Sequence, residues 1–380
     1  MRRIVAASVV LLGAGAMSLG WVLARKLTSA VGSRTFDLRL RDIEADGDRR
    51  LLILDRTRST AAPGIFSLWF ETGEWVRVSD EVIDRGPGQI ARVVTHAASG
   101  RLPSLGASFS WSGIYFDGPA AAGLSVREVF ISTPAGPAPA WLAGGEHRAA
   151  TWAIHVHGMG GNRRGTLRGV QVTAELGYTS LVVSLHNDGE GPRAEKGRST
   201  LGYSEAEDVE AAVEYAVKKG AERIVLFGWS LGAAIALRVA DRMRSAGVIT
   251  ALVLDSPVLS WIRVIEANCV RSGLPAVAGR LSLPWLTLDP LARTAGLPGA
   301  ISLREMDWIE RARELTVPTL ILHGSRDDSV PPAVSEALRD LRPGVVELVV
   351  FEAGHSLAWN SDPERWRSSV SAWLSTVVVD

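Results

Sequence analysis

The sequence has almost no cysteine and no excess of charge of either sign. Cys269 is the one cysteine in 380 residues, which excludes an internal disulfide and a cysteine-rich metal cluster. We expect this residue to be a small core side chain. The 41 Lys and Arg residues balance the 41 Asp and Glu residues, so the chain has no net charge that would attract nucleic acid. Nucleic-acid binding is therefore not expected.

Clusters of metal ligands and signatures of phosphate binding are also missing. His96 stands alone rather than at the spacing of a metal-ligand set, and we expect it to be solvated or in a core. The glycine-rich stretch 158–161 lacks the Gly-Lys-Ser/Thr that completes a phosphate-binding loop. Hydrophobic residues make up 47% of the chain, and its length fits one large domain with a smaller attachment.

A long uncharged run lies close to the N-terminus. Its 21 residues, 4–24, stand between basic pairs at 2–3 and 25–26. Since about 20 apolar residues cross a bilayer as a helix, we predict that residues 1–33 form a membrane anchor, with the rest of the chain outside the cytoplasm. The alternatives are a secretory signal cleaved near Ala24, which would give a secreted protein, and a buried helix.

Residues 34–122 are predicted to form a small β-rich module. Short segments of alternating hydrophobicity, broken by glycine, proline and aspartate, are typical of strands. They cover residues 51–54, 64–70, 75–78, 89–94 and 114–116. We expect the aromatic residues of this module to form its core and a docking face rather than a binding groove. No function is predicted for it.

From residue 123 to 380, buried strands alternate with helices. This alternation predicts an α/β fold with a mainly parallel sheet flanked by helices. Strands are predicted at 126–133, 139–143, 152–156, 179–184, 224–227, 251–254, 318–322 and 345–351, and helices at 168–176, 205–218 and 363–377. Ser204 and Glu207 predict a capping box for the second helix. Residues 257–316 interrupt the alternation and, being rich in proline, tryptophan and leucine, are predicted to form a cap over a ligand site.

A strand meets a helix at Ser230, within the stretch RIVLFGWSLGAAIALR at 223–238. Residues 228–232 spell Gly-x-Ser-x-Gly, and the strand before and helix after are the context that this motif requires. Glycines two positions before and after the serine leave room for a strained turn. The helix that follows directs free N–H groups towards a developing oxyanion. We therefore predict that Ser230 is a nucleophile.

A base and an acid are expected from two later loops. His355 follows the strand 345–351 and comes after Ser230 in the chain, which makes it the candidate base. A carboxylate at the end of strand 318–322 can reach this histidine and hold its tautomer. Asp327 and Asp328 both lie there, and Asp255, at the end of an earlier strand, is a third candidate.

Residues 123–380 resemble the α/β-hydrolase superfamily, with the order Ser, Asp, His that this fold uses. The nearest resemblance is to bacterial serine hydrolases of the prolyl-oligopeptidase, serine-aminopeptidase and Bem46-like kind. The run His-Gly-x-x-Asp-x-x-Val-Pro at 323–331 implies that Asp327 is the acid. The run His-Gly-x-Gly-Gly-Asn at 157–162 is similar to an oxyanion loop, and we predict backbone N–H donors at Met159 and Leu231.

The resemblance implies a serine hydrolase that cleaves a carboxylic ester through an acyl-enzyme, with no cofactor and no metal. The substrate would be a small acyl ester or a peptide. One alternative is a serine peptidase of the aminopeptidase or oligopeptidase type, in which Asp188 or Glu190 would hold a peptide terminus. The loop 186–190 that contains them could instead bind a cation or only form a turn. A non-catalytic binding protein that retains the fold is the other alternative.

Overall fold

The computed structural model describes residues 2–32, 34–98, 100–144 and 150–378. An N-terminal helix is followed by a closed sheet of six strands and then by a mixed sheet of eight strands flanked by helices. The predicted α/β-hydrolase fold, with its cap and its β-rich N-terminal module, is confirmed. The domain boundaries placed after residues 33 and 122 stay predictions.

Helix α1 spans Arg2–Leu27. Ala24 near its end is fully buried, and a Cβ on Gly20 would lie 2.1 Å from the carbonyl oxygen of Leu281 in the cap. Within the described residues, no helix has both the length and the apolar character that a membrane span requires. The predicted single-pass membrane anchor and the predicted membrane contact through this helix are therefore wrong, and the location outside the cytoplasm that was inferred from them loses its basis. Gly20 and Ala24 of this run pack against the rest of the chain, which lack of charge alone did not reveal.

The N-terminal β module, defined here as residues 38–112, is an antiparallel sheet closed in the order β1-β2-β5-β4-β3-β6. Large apolar side chains such as Phe66, Leu68 and Phe109 fill its interior. Its strands are β1 (Leu38–Asp46), β2 (Arg49–Asp55), β3 (Phe66–Phe70), β4 (Trp75–Asp84), β5 (Gln89–Ala97) and β6 (Ser108–Ser112). The sequence missed β1 and β6, whereas residues 114–116, predicted as a strand, belong to no strand.

The large sheet has the strand order β14-β13-β12-β11-β9-β10-β8-β7. Its strands are β7 (Val126–Thr133), β8 (Gly136–Ala143), β9 (Thr151–Val156), β10 (Thr179–Val183), β11 (Arg223–Trp229), β12 (Ile249–Asp255), β13 (Thr319–Gly324) and β14 (Val346–Phe351). β7 and β8 form an antiparallel hairpin, and β9 to β14 run parallel to one another. The carboxyl ends of the parallel strands therefore meet at one edge, where such sheets bind their ligands.

Helices cover both faces of this sheet and form the cap. They are α2 (Leu167–Glu175), α3 (Glu205–Lys218), α4 (Leu231–Arg242), α5 (Trp261–Arg271), α6 (Leu283–Thr287), α7 (Asp289–Ala295), α8 (Pro332–Leu341), α9 (Ala358–Ser361) and α10 (Pro363–Val377). Helices α5 to α7 lie in the predicted cap segment. The predicted capping box at α3 is wrong, because the Ser204 side chain makes no cap hydrogen bond and its Oγ lies 2.7 Å from Thr200 Oγ1 instead.

The N-terminal β module docks onto the large domain through Asn360. This residue of α9 is fully buried. Its Nδ2 donates to the carbonyl oxygens of Ile65 at 2.8 Å and Gly113 at 3.0 Å. The Ile65 N–H donates in turn to the Asn360 carbonyl at 2.8 Å. Three hydrogen bonds at one buried residue thus join the module, and the residue just after it, to the large domain close to the loop that carries His355.

Candidate active site

The backbone at Ser230 is strained. Its φ is 52° and its ψ is −110°, a backbone conformation that residues other than glycine rarely adopt. Close packing makes the flanking glycines necessary. A Cβ on Gly228 would lie 2.5 Å from Ala233 Cα, and one on Gly232 would lie 2.1 Å from the Val156 carbonyl oxygen. The elbow between β11 and α4 thus fits only with these two glycines in place.

Three side chains from three different loops meet at Ser230. The Ser230 hydroxyl donates to His355 Nε2 across 2.9 Å. On the other side of the ring, His355 Nδ1–H donates to Asp327 Oδ2 across 2.7 Å. This tautomer follows from the partners, since the carboxylate only accepts hydrogen bonds. The arrangement has the order nucleophile, base and orienting acid that nucleophilic catalysis requires.

The Asp327 carboxylate is held in its ionised form. Its Oδ1 accepts backbone N–H groups of Ser329 at 2.9 Å and Val330 at 2.8 Å. Burial alone would raise the pKa of this carboxyl. Hydrogen bonds from His323 and His355 outweigh burial and hold the pKa of Asp327 well below its usual range.

His323 contacts Asp327, the candidate acid, and the sequence interpretation assigned it no role. It is fully buried in β13, and its Nε2 lies 3.2 Å from Asp327 Oδ2 and 3.1 Å from the Val330 carbonyl oxygen. Its Nδ1 lies 2.7 Å from Ser335 Oγ in α8. The signal was present as a histidine four residues before the acid, at the end of the same strand. His323 is therefore a positioning residue for Asp327.

The two other candidates for the acid lie elsewhere. The side chain of Asp328 is half-exposed, and its carboxylate is 2.9 Å from Arg58 and 3.6 Å from Arg271. Asp255 is buried at the end of β12 and accepts a hydrogen bond from Trp366 Nε1 at 3.1 Å. Burial raises the pKa of Asp255, and the nearby Arg168 guanidinium offsets this only in part. Only Asp327 of the three accepts a hydrogen bond from His355 within the described chain.

The loop 157–162, here called the oxyanion loop, packs directly against the elbow. A Cβ on Gly158 would lie 3.0 Å from the Trp229 carbonyl oxygen and 3.3 Å from Ser230 Cβ. Met159 on this loop and Leu231 at the start of α4 both line the cavity that contains Ser230. The first N–H groups of a helix have no partner within it. Both predicted oxyanion donors thus lie beside the serine, and their roles stay predictions.

The candidate peptide-binding carboxylates support the oxyanion loop instead of facing the cavity. Asp188 Oδ2 lies 2.9 Å from His157 Nε2 and accepts the Leu185 N–H at 2.8 Å. Burial opposes ionisation of Asp188, but the bond with His157 and the backbone donors lower its pKa overall. Glu190 forms an ion pair with Arg163 at 2.8 Å. The prediction that these two carboxylates line the site is not supported by their positions.

Ser230 opens into a cavity of about 460 Å³. Its walls are mainly apolar and come from α1, α5 and the loops that carry Ser230, Ser329 and His355. The lining residues are Leu23, Lys26, Leu27, Met159, Ser230, Leu231, Val258, Trp261, Val264, Ile265, Asn268, Cys269, Arg271, Ser272, Leu274, Ser329, Val330 and His355. Among the described residues, the lining includes two cations and no carboxylate. Cys269 is buried in this wall, rather than in a core away from the site.

Comparison with known protein families agrees with this architecture. Residues 153–368, more than half of the chain, match the family described as Alpha/beta hydrolase family. The chain belongs to the alpha/beta hydrolase family. Membership supports hydrolase activity for this alpha/beta hydrolase. Residues 39–112, which form the N-terminal β module, match a domain of unknown function, DUF8805.

The curated relatives of this alpha/beta hydrolase are uncharacterized proteins. YqkD of Bacillus subtilis is 23% identical over 236 residues, covering 61% of this chain and 73% of YqkD. Rv2307c of Mycobacterium tuberculosis is 35% identical over 116 residues, covering 30% of this chain and 31% of its own length. These relatives therefore supply no activity or substrate.

Solved structures with a similar fold include esterases. Esterase Pf2001 of Pyrococcus furiosus superimposes with a TM-score of 0.52 at 20% identity, covering 69% of this chain and 95% of that one. Est1E of Butyrivibrio proteoclasticus, solved with ferulic acid bound, has a TM-score of 0.53 at 19% identity, covering 66% and 100%. At such identities the likeness establishes a shared fold.

Proposed function

We propose that this alpha/beta hydrolase is a serine esterase that forms an acyl-enzyme on Ser230. The observation that carries the proposal is the continuous pair of hydrogen bonds from Ser230 to His355 at 2.9 Å and from His355 to Asp327 at 2.7 Å. Ser230 and His355 line an apolar cavity, beside two backbone segments that are suited to form an oxyanion hole.

The first half of the reaction acylates the enzyme. His355 Nε2 takes the hydroxyl proton while Ser230 Oγ bonds to the carbonyl carbon of the ester. The N–H groups of Met159 and Leu231 hold the resulting oxyanion, a contribution of about 3 kcal/mol for each donor. Asp327 stabilises the imidazolium. His355 then gives its proton to the leaving alcohol oxygen as the carbon–oxygen bond breaks.

The second half releases the acid. His355 takes a proton from a water molecule, whose oxygen attacks the acyl carbon of the ester on Ser230. The bond between that carbon and Ser230 Oγ breaks, and His355 returns its proton to the serine. One water is consumed, and one carboxylic acid and one alcohol are formed.

The charges in the cavity favour an ester over a peptide substrate with a free amino terminus. An aminopeptidase holds a terminal ammonium, which requires a nearby carboxylate. Lys26 lines this cavity and would repel an ammonium instead, and Arg271, the other cation in the lining, is paired with Asp328. The candidate carboxylates Asp188 and Glu190 are engaged with His157 and Arg163.

A fluorophosphonate probe tests the proposal. We expect wild-type protein to be labelled, the Ser230→Ala variant to stay unlabelled, and the Ser368→Ala variant, altered at an exposed serine of α10, to be labelled like wild type. Wild type should also hydrolyse p-nitrophenyl esters faster than aminoacyl-nitroanilides. An unlabelled wild type, or faster turnover of the anilides, would contradict the proposal.

A further inference from the structure

Helix α1, at the N-terminal end of the sequence, contributes to the cavity that contains Ser230. Leu23, Lys26 and Leu27 line this cavity together with Ser230 and His355. Leu23 and Leu27 are four residues apart, so both lie on one face of the helix. The segment that the sequence suggested as an anchor therefore stands beside the catalytic side chains.

This part of α1 is packed against the cap. The close approach of Gly20 to the Leu281 carbonyl allows no side chain between helix and cap. Trp21 Nε1 donates to the Thr294 carbonyl oxygen and Arg25 Nη1 to the Ala295 carbonyl oxygen, each at 3.3 Å. Both acceptors lie at the end of α7. These contacts fix the rotation of α1 about its axis and so determine which face meets the cavity.

The end of α1 is attached to the large domain as well. Arg198 Nη1 donates to the Arg25 carbonyl oxygen at 2.6 Å, and the Ser199 N–H donates to the Thr28 carbonyl oxygen at 3.0 Å. Thr28 itself is fully buried. Hydrogen bonds on both sides thus hold residues 20–28 in place, and the helix forms a fixed wall of the cavity.

Apolar side chains of the cap line the same cavity. Trp261, Val264 and Ile265 of α5, with Leu274 after it, join Leu23 and Leu27 among the lining residues. In the acyl-enzyme the acyl carbon is bonded to Ser230 Oγ, so the attached chain must extend from that atom into space beside it. An apolar cavity that contains Ser230 is suited to an aliphatic chain.

We propose that α1 is part of the acyl-binding site, with Leu23 and Leu27 contacting the aliphatic chain of the substrate and limiting its length. The inference rests on the proposed esterase function and extends it by naming the substrate class, esters of straight-chain aliphatic acids. Under this inference, residues 20–28 contribute to substrate specificity, in place of the membrane anchoring that the sequence suggested.

Substitutions on two faces of α1 test this inference. Leu27→Trp fills the cavity, whereas Val22→Trp adds the same ring at a position that is 51% exposed. We expect Leu27→Trp to lower kcat/KM for p-nitrophenyl decanoate about tenfold relative to the acetate. Val22→Trp should keep the wild-type ratio within about twofold. Leu27→Ala, which widens the cavity, should shift the ratio towards the decanoate.

A binding measurement separates this inference from the esterase proposal. Titration calorimetry of decanoate with the Ser230→Ala protein requires no turnover. Adding Leu27→Trp should weaken decanoate binding about tenfold, and adding Val22→Trp should leave it unchanged. If the wild-type protein shows no esterase activity, weaker decanoate binding with Leu27→Trp would still support the acyl site while the reaction would be refuted. Chain-length profiles and decanoate affinities that are the same in the Leu27 variants and in Val22→Trp would overturn the inference.

Discussion

At the scale of single residues, the proposed chemistry depends on side chains that the fold brings together from distant loops. The sequence indicated Ser230, Asp327 and His355 because each follows a recognisable strand, and the structure brings all three within hydrogen-bonding distance. His323 was missed because its place four residues before Asp327 does not by itself distinguish a supporting role from packing in a buried strand. Its contact with Asp327 depends on tertiary structure that spacing alone does not give.

Asp327 should make activity and stability depend on its charge. We expect Asp327→Asn to lower kcat about 10⁴-fold, because His355 would lose the partner that fixes its tautomer. Since the pKa of Asp327 is depressed in the folded protein, its carboxylate stabilises the fold above about pH 4, the pKa range of an unfolded aspartate. That stabilisation is lost as pH falls further.

Urea titrations of wild type and Asp327→Asn at several pH values measure this effect. The difference in free energy of unfolding should be largest near pH 7 and should shrink below about pH 4. Asp328→Asn is the matched control, since this carboxylate is half-exposed and shared between two arginines at the rim. A difference that grows as the pH falls would show that Asp327 is not a stabilised carboxylate.

At the scale of elements, sequence patterns located most strands and helices of the large domain, since buried parallel strands and amphipathic helices have distinct periodicities. These patterns failed for a strand with many charged residues and for a helix cap that depends on tertiary contacts. β1 has the sequence LRLRDIEAD, whose Arg, Asp and Glu residues concealed a strand with one mostly exposed face. The Ser204 hydroxyl was predicted to cap α3. It forms a hydrogen bond with Thr200 instead, because the fold of the preceding loop places the Thr200 hydroxyl beside it.

The elbow between β11 and α4 should tolerate no side chain at Gly232. Gly232→Ala would bring a Cβ to 2.1 Å from the Val156 carbonyl oxygen, so the strand or the helix must move. Overpacking of this kind costs about 1–3 kcal/mol. Thermal unfolding should therefore show a lower Tm, with weaker fluorophosphonate labelling.

Gly165→Ala is the matched control for the elbow, because a Cβ at Gly165 would meet no atom within 4 Å. Its Tm and labelling should stay close to those of wild type. Equal Tm values for the two variants would mean that the elbow is less tightly packed than the distances indicate.

At the scale of the whole molecule, two features could not be read from the sequence. The docking of the N-terminal β module depends on Asn360 and Ile65, which lie 295 residues apart. The position of α1 against the cap depends on packing at Gly20, whereas lack of charge alone suggested a membrane anchor. The cap and the mixed sheet were predictable because they leave local patterns of proline, aromatic residues and alternating strands.

Asn360→Ala should weaken the attachment of the N-terminal β module. The change leaves the carbonyls of Ile65 and Gly113 and the Arg168 guanidinium without their partner. Unsatisfied buried groups cost about 1–3 kcal/mol, so the free energy of unfolding should fall by roughly that amount. Limited proteolysis should cut earlier between residues 100 and 125.

Ser361→Ala is the control for the docking contact, since the Ser361 hydroxyl donates to the Ala358 carbonyl of its own helix. Its unfolding and proteolysis should match wild type. Unchanged stability in Asn360→Ala would indicate that the module is held mainly by apolar contacts.

The most direct test of the central claim is to find the acyl group on the enzyme. Wild-type protein is mixed with p-nitrophenyl octanoate, quenched in acid within the first turnovers, digested and analysed by mass spectrometry. The account predicts an octanoyl group on the peptide that contains Ser230, absent from Ser230→Ala and retained in Ser368→Ala. Ester turnover by Ser230→Ala at the wild-type rate, or an acyl group on another residue, would contradict it.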